Sequence, residues 1–193
     1  MEDGSNDEDL ALMARVARGD EKAFGELVAK HQHAVIGTIG KMTNHSADTE
    51  DIAQQVFLRL WKAAPRYKPK AKFTTFLFTI TRNLVFNETR RKSRRKEHSL
   101  EEQEEDWHAA ASDQTPSSRP DQSLAQSELR QLVDQAIADL PEKQRLAVAL
   151  RRYEQMPYEE IARVLGLSVS AVKSQLFRAR TALRESLQPY LEE

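Results

Sequence analysis

The sequence predicts an all-α protein of two small helical domains, an N-terminal helix bundle and a C-terminal four-helix domain with a helix-turn-helix, joined by a flexible acidic linker. Three observations predict it. Apolar residues recur at three- and four-residue steps through nearly every segment outside one gap. That gap, 97–123, consists mainly of Glu, Gln, Ser, Asp, Ala and Pro and holds no sustained apolar period. The stretch from Met156 to Leu187 reads as two helices around a glycine turn, the helix-turn-helix pattern. The divisions that follow are an acidic, disordered start over 1–9, a helical domain over 10–96, the linker over 97–123 and a second helical domain over 124–193.

Charge is segregated along the chain. The net charge is −1, with 31% charged residues, so the whole is balanced while its parts are not. Eleven Lys and Arg residues face a single acid between Arg66 and Lys96, and seven acids with no Lys or Arg follow between Glu97 and Asp113. A basic block of this kind seeks a polyanion, and the acidic block after it is a solvated connector. The absence of cysteine excludes a disulfide framework and a thiolate metal site. An acidic N-terminus and the lack of a membrane-length apolar run predict a cytoplasmic protein with no membrane insertion.

Leu10–Val16 and Ala23–Val28 carry helical spacing, broken at Gly19-Asp20, where Asp20 can cap the second helix. Val35, Ile36 and Ile39 extend that pattern to about Met42. His31, His33 and His45 lack ligand spacing, so no metal and no other cofactor is predicted. In SADTEDIAQQVFLRLWK, Ser46 or Asp48 is the expected cap, and Asp48, Glu50 and Asp51 suit the positive end of a helix. Capping is a better account of these acids than a nuclease site, because no His or Lys stands at a partnering distance. Ile52, Ala53, Val56, Phe57, Leu60 and Ala64 form the inward arc. Leu58 falls opposite, among Asp51, Gln54, Gln55 and Lys62. It is either an ordinary exposed leucine or the apolar centre of an interface.

Tyr67–Phe73, YKPKAKF, is a basic loop edged by aromatics. It opens a helix at Thr74 or Thr75 whose inward stripe is Phe73, Phe76, Leu77, Ile80 and Leu84. Phe78, Arg82, Phe86 and Thr89 project the other way, with Asn83 at the stripe's edge, and Arg90–Lys96 is almost wholly basic. Rings interleaved with cations suit unpaired nucleic acid, bases stacking while cations follow phosphates. A helix buried on both faces is the alternative for Phe78 and Phe86. Trp107 stands alone in the acidic linker, either a docking anchor or a partly exposed residue.

Leu129, Leu132, Val133, Ile137 and Leu140 mark the first helix of the second domain, and Pro141 suits the start of the next. Gly166 supplies the left-handed turn after Tyr158–Leu165, and Ser168 caps the last helix. Val172, Leu176, Ala179 and Leu183 point inward there. Lys173, Ser174, Phe177 and Arg178 point out, with Gln175 and Arg180 on the flanks, side chains suited to phosphates, base edges and thymine methyls.

Four segments carry a family resemblance: RGDEKAFGELV, DTEDIAQQVFLRLWK, FTTFLFTITRNL with its basic tail, and LPEKQRLAVALRRYEQMPYEEIARVLGLSVSAVKSQLFRAR. In this order, around an acidic linker, they resemble the extracytoplasmic-function (ECF) group of bacterial sigma-70 factors. The resemblance implies a non-enzymatic specificity subunit of RNA polymerase. Its partners would be core polymerase (clamp and flap regions), promoter DNA and an anti-sigma factor. By position, core-polymerase contacts fall on Glu50, Asp51, Gln54, Gln55 and Leu58, which favours the interface reading of Leu58. Minus-10 contacts fall on Tyr67, Lys68, Lys70, Lys72, Phe73, Phe76, Asn83, Arg90 and Arg91, where a base could be flipped out. Minus-35 contacts fall on Ser170, Lys173, Ser174, Phe177 and Arg178. The family's linker runs towards the RNA exit path. The loop here reads Lys-Pro-Lys-Ala over 68–71, Gln155 and Pro157 stand where Gly and Ser are often found, and Ser170-Ala171 stands where Gly-Thr is common. A stand-alone helix-turn-helix regulator is the competing reading, and it leaves Leu58 and the basic-aromatic segment unexplained.

Overall fold

The structure, a computed structural model, describes residues 2–44, 46–100 and 120–190, without the side chains of 2–3, 93, 95–100 and 120–127. Trp107, His45 and most of the expected linker lie outside the described residues. Among the described residues, eight α-helices run in the order α1 (Glu2–Val16), α2 (Glu21–Thr43), α3 (Thr49–Ala63), α4 (Phe73–Leu100), α5 (Pro120–Ala138), α6 (Glu142–Arg152), α7 (Tyr158–Leu165) and α8 (Val169–Leu187). No helix among the described residues is long and apolar enough to cross a membrane.

The helix ends follow local chemistry. Asp20 caps α2, its Oδ1 accepting from the Ala23 amide at 3.0 Å. Gly166 ends α7 at φ +66°, a left-handed turn that costs a residue without Cβ little. Ser168 starts α8, its Oγ accepting from the Ala171 amide at 3.2 Å. At α3 the expectation needs correction. Asp48 occupies the cap position without a capping bond, because its carboxylate lies 2.6 Å from Lys92 Nζ on α4. Ser46 contributes its carbonyl instead, accepting from the Thr49 amide and hydroxyl.

Over 2–9 the structure is helical where disorder was expected. Helix α1 begins at Glu2, and three tertiary contacts reward ordering its acidic turns. Asp9 is buried against Lys30 Nζ at 2.7 Å and His31 Nε2 at 3.1 Å. Leu12, Met13 and Val16 enter the core. Asn6 Oδ1 accepts from the Phe73 amide at 3.0 Å, so α1 caps a helix that starts sixty-seven residues later in the chain. That cap also explains why α4 opens at Phe73 rather than at Thr74 or Thr75.

The two helical units are packed together. Met13, Leu27, Ile39, Leu60, Phe73 and Leu77 from α1–α4 belong to the same buried cluster as Leu146, Leu150, Ile161 and Val172 from α6–α8. Helix α4 lies against α7, and α2 lies against α5 and α6. Polar bridges stitch this seam. Lys41 Nζ is 3.1 Å from Asp134 and 4.2 Å from the centre of the Tyr153 ring. Arg145 donates to the carbonyl of Met42 on one side and that of Leu140 on the other, both at 2.9 Å.

Candidate nucleic-acid and polymerase interfaces

Helix α3 separates its residues as the wheel requires. Ile52, Ala53, Val56, Phe57 and Leu60 are buried, while Glu50, Asp51, Gln54, Gln55 and Leu58 are all exposed on the opposite face. Leu58 is 56% exposed, an apolar side chain left uncovered among the described residues. Its ring of carboxylates and amides gives the small apolar centre and polar rim of a protein interface.

Helix α8 divides as cleanly. Val172, Leu176 and Ala179 are buried against the other helices of the C-terminal unit, and Leu183 is half-buried. Ser170, Lys173, Ser174, Phe177 and Arg178 are exposed, Phe177 to 69%. Such exposure excludes a packing role for the phenyl ring. Lys173, Ser174, Phe177 and Arg178, with Tyr158, Leu176 and Arg180, border an open hollow of about 570 Å³ at the α7–α8 corner. The surface offers cations for phosphates, a hydroxyl for backbone or base edges and an apolar ring for a thymine methyl.

The basic-aromatic segment divides less simply. Lys68 and Lys70 stand exposed on the loop before α4, and Arg90 and Arg91 stand exposed at the far end of its basic stretch. Tyr67 and Phe76 meet as a tilted ring pair, centroids 4.8 Å apart. Burial and the nearby Asp9 charge push the Tyr67 phenol above its ordinary pKa, so it remains a neutral ring. Asn83 is exposed and accepts from Arg82 Nε at 3.0 Å. Phe73 is the correction: it is fully buried, its ring 5.2 Å from that of His31, and it anchors the start of α4 instead of presenting a stacking surface.

Both faces of α4 are covered, so the alternative weighed for Phe78 holds. Phe78 is buried and Phe86 half-buried. The cover is the C-terminal unit. Glu160 of α7 lies 3.2 Å from Lys72 Nζ and accepts from the Thr75 hydroxyl at 3.2 Å. Thr89 donates to Glu142 of α6, and an Arg82 guanidinium nitrogen lies 3.5 Å from where a Cβ on Gly166 would sit. Sequence reasoning missed Asn6, Asp9, Arg145 and Glu160. Each acts across a long stretch of chain, and only Asp9 and Glu160 left a trace, as carboxylates inside otherwise apolar helical faces.

Comparison with known proteins connects these surfaces. Residues 27–95 match the family model described as sigma-70 region 2, and residues 130–183 match sigma-70 region 4. The chain is 34% identical to the RNA polymerase sigma-H factor of Pseudomonas aeruginosa over 194 aligned positions, covering 98% of each protein. It is 33% identical to the ECF RNA polymerase sigma-E factor of Escherichia coli K12, covering 95% of this chain and 96% of that one. Among solved structures, CnrH in complex with the cytosolic domain of CnrY superposes with a TM-score of 0.68 at 26% identity, over 94% of this chain and 98% of that one. The sigma factor RpoE bound to the anti-sigma factor NepR, from Bartonella quintana, shares the fold with a TM-score of 0.69 at 22% identity, over 86% of this chain and 98% of that one. A region 2 match over the N-terminal unit excludes a stand-alone regulator, whose only expected signal would be the helix-turn-helix. The chain belongs to the sigma-70 family of RNA polymerase sigma factors, within its ECF group.

Proposed function

We propose that the exposed face of α3 docks on core RNA polymerase, that the loop before α4 and the exposed edge of that helix at Asn83, Arg90 and Arg91 capture the unpaired minus-10 strand, and that α8 reads the minus-35 duplex. The observation that carries this division is the coexistence of two open faces on separate helices. One is Leu58 ringed by Glu50, Asp51, Gln54 and Gln55; the other is Phe177 ringed by Lys173, Ser174 and Arg178. The first is built like a protein contact and the second like a groove contact. Lys68, Lys70, Arg90 and Arg91 supply cations for a strand, and the Tyr67–Phe76 pair and Asn83 supply ring and amide for a base. Phe73 supports this site from beneath.

The remaining roles follow the same reading. The C-terminal unit contacts the polymerase flap, the acidic segment after Lys96 runs towards the RNA exit path, and an anti-sigma factor restrains the chain. The protein works in the cytoplasm and catalyses nothing itself. Run-off transcription tests the proposal. The purified chain with core polymerase starts RNA at a defined site on a cognate promoter, with no other initiation factor present. Random initiation, or none, would defeat it.

A further inference from the structure

The basic loop runs into α4 through Lys72, which stands where a helix start usually keeps Ser, Thr, Asp or Asn. An ammonium donates and cannot accept, so Lys72 offers no side-chain cap to the free amides of the first turn. The acceptor comes from α1 instead: Asn6 Oδ1 accepts from the Phe73 amide at 3.0 Å. Asn6 is itself held in place. Lys30 Nζ of α2 lies 2.7 Å from both the Glu8 and the Asp9 carboxylates and donates to the Ser5 carbonyl at 3.2 Å, so α1 is gripped on either side of Asn6. His31 joins the same contact, its Nε2 3.1 Å from Asp9 and its ring 5.2 Å from that of Phe73.

We propose that Asn6 is a positioning residue for strand capture, its side-chain oxygen capping α4 at Phe73 and so fixing the loop that carries Lys68, Lys70 and Lys72. The inference rests on the reading of that loop as the strand-capturing one. The near end of the loop is closed by the Tyr67 amide, which donates to the Ala64 carbonyl at 3.1 Å. Asn6 closes the far end. Phe76 lies in the first turn of α4 and holds the Tyr67 ring at 4.8 Å, so fraying of that turn displaces the ring pair together with the cations. A cap borrowed from α1 resolves a local conflict, because position 72 can then keep a cation without leaving the helix start unsatisfied. Asn6, Lys72 and Thr74 line one cavity of about 170 Å³, which places the cap beside the cation it serves. In this role Asn6 touches neither base nor phosphate and acts through the loop.

Three full-length chains test this: wild type, Asn6→Ala, and Asn6→Asp, which keeps an acceptor oxygen at the same reach. In the free chain, amide hydrogen exchange at Phe73 quickens about five- to tenfold in Asn6→Ala, the worth of one helix cap, and returns to the wild-type rate in Asn6→Asp. With core RNA polymerase, capture of a fluorescent pool of random single-stranded DNA is measured above the level of core polymerase alone. It weakens by a similar factor in Asn6→Ala and recovers in Asn6→Asp, while binding to core polymerase and to a duplex pool is unchanged in both. Wild-type exchange or wild-type capture in Asn6→Ala overturns the inference, as does equal loss of capture in the two variants. Loss of polymerase or duplex binding in Asn6→Ala marks a general loosening of the fold and overturns it too. If Phe73 exchange responds to Asn6 but none of the three chains captures single strands, the reading of the loop fails, and the positioning role with it.

Discussion

In the proposed interfaces single side chains have separable roles, and each makes its own prediction. Arg178→Ala weakens minus-35 duplex binding by about 1–3 kcal/mol on cognate sequence, with little change on scrambled sequence, if the guanidinium grips a base edge; competition binding on the two duplexes measures it. An equal loss on both would make Arg178 a phosphate contact. Leu58→Asp eliminates capture by immobilised core polymerase and leaves the circular dichroism spectrum unchanged, because the side chain touches solvent rather than core. Unaltered capture would return Leu58 to ordinary surface. Asp9 makes a prediction about stability. Burial pushes its carboxyl upward, but hydrogen bonds and charges from His31 and Lys30 outweigh burial and hold its pKa below the ordinary 3.8. A carboxyl depressed on folding stabilises the fold above its unfolded pKa, and that contribution disappears as the pH falls through the folded value. Asp9→Asn therefore costs about 1–3 kcal/mol in urea unfolding at neutral pH, and the gap to the wild-type chain closes as the pH drops below 3.8. A gap independent of pH would show that the ionised pair contributes nothing.

Among the helices, α7 and α8 depend on the turn between them. Gly166 sits at φ +66°, and an added Cβ would meet the Arg82 guanidinium at 3.5 Å, an ordinary van der Waals contact, so the cost of Gly166→Ala is conformational rather than steric. About 1–2 kcal/mol is expected from placing a Cβ in the left-handed region, visible as a lower thermal midpoint with duplex specificity retained. Both this turn and the Ser168 cap were legible in the sequence, since each is decided within four residues of itself. The inward and outward faces of α3 and α8 were legible for the same reason: a helix wheel needs no knowledge of the partner. Helix α4 was not, because its second face is covered by residues more than fifty positions away, and periodicity cannot say which of two apolar faces is solvated. At Phe73 the helical spacing gave the inward position correctly, while the DNA contact implied by the resemblance did not hold, because an aromatic beside lysines has the same pattern whether it faces DNA or supports a helix from below. The part of α1 before Leu10 was missed because composition says that acids at a chain end stay in water, while Lys30, His31 and the Phe73 amide offer them partners only after α2 and α4 have folded.

At the scale of the molecule, the chain is two helical units around one shared core rather than two beads on a string. That arrangement leaves the outward faces of α3 and α8, the proposed polymerase and duplex surfaces, open and covers one side of α4. Polar bridges such as Lys41–Asp134, Lys72–Glu160 and Arg145 to the Met42 carbonyl set the orientation of the units. They also give the seam a polar share of the kind found at domain contacts that open. The most direct test of the central claim is promoter-specific run-off transcription from a reconstituted holoenzyme. The purified chain and core polymerase yield one discrete transcript from a cognate promoter, lost in Leu58→Asp and reduced in Arg178→Ala. A chain that binds duplex DNA through α8 yet directs no start site with core polymerase would contradict the account.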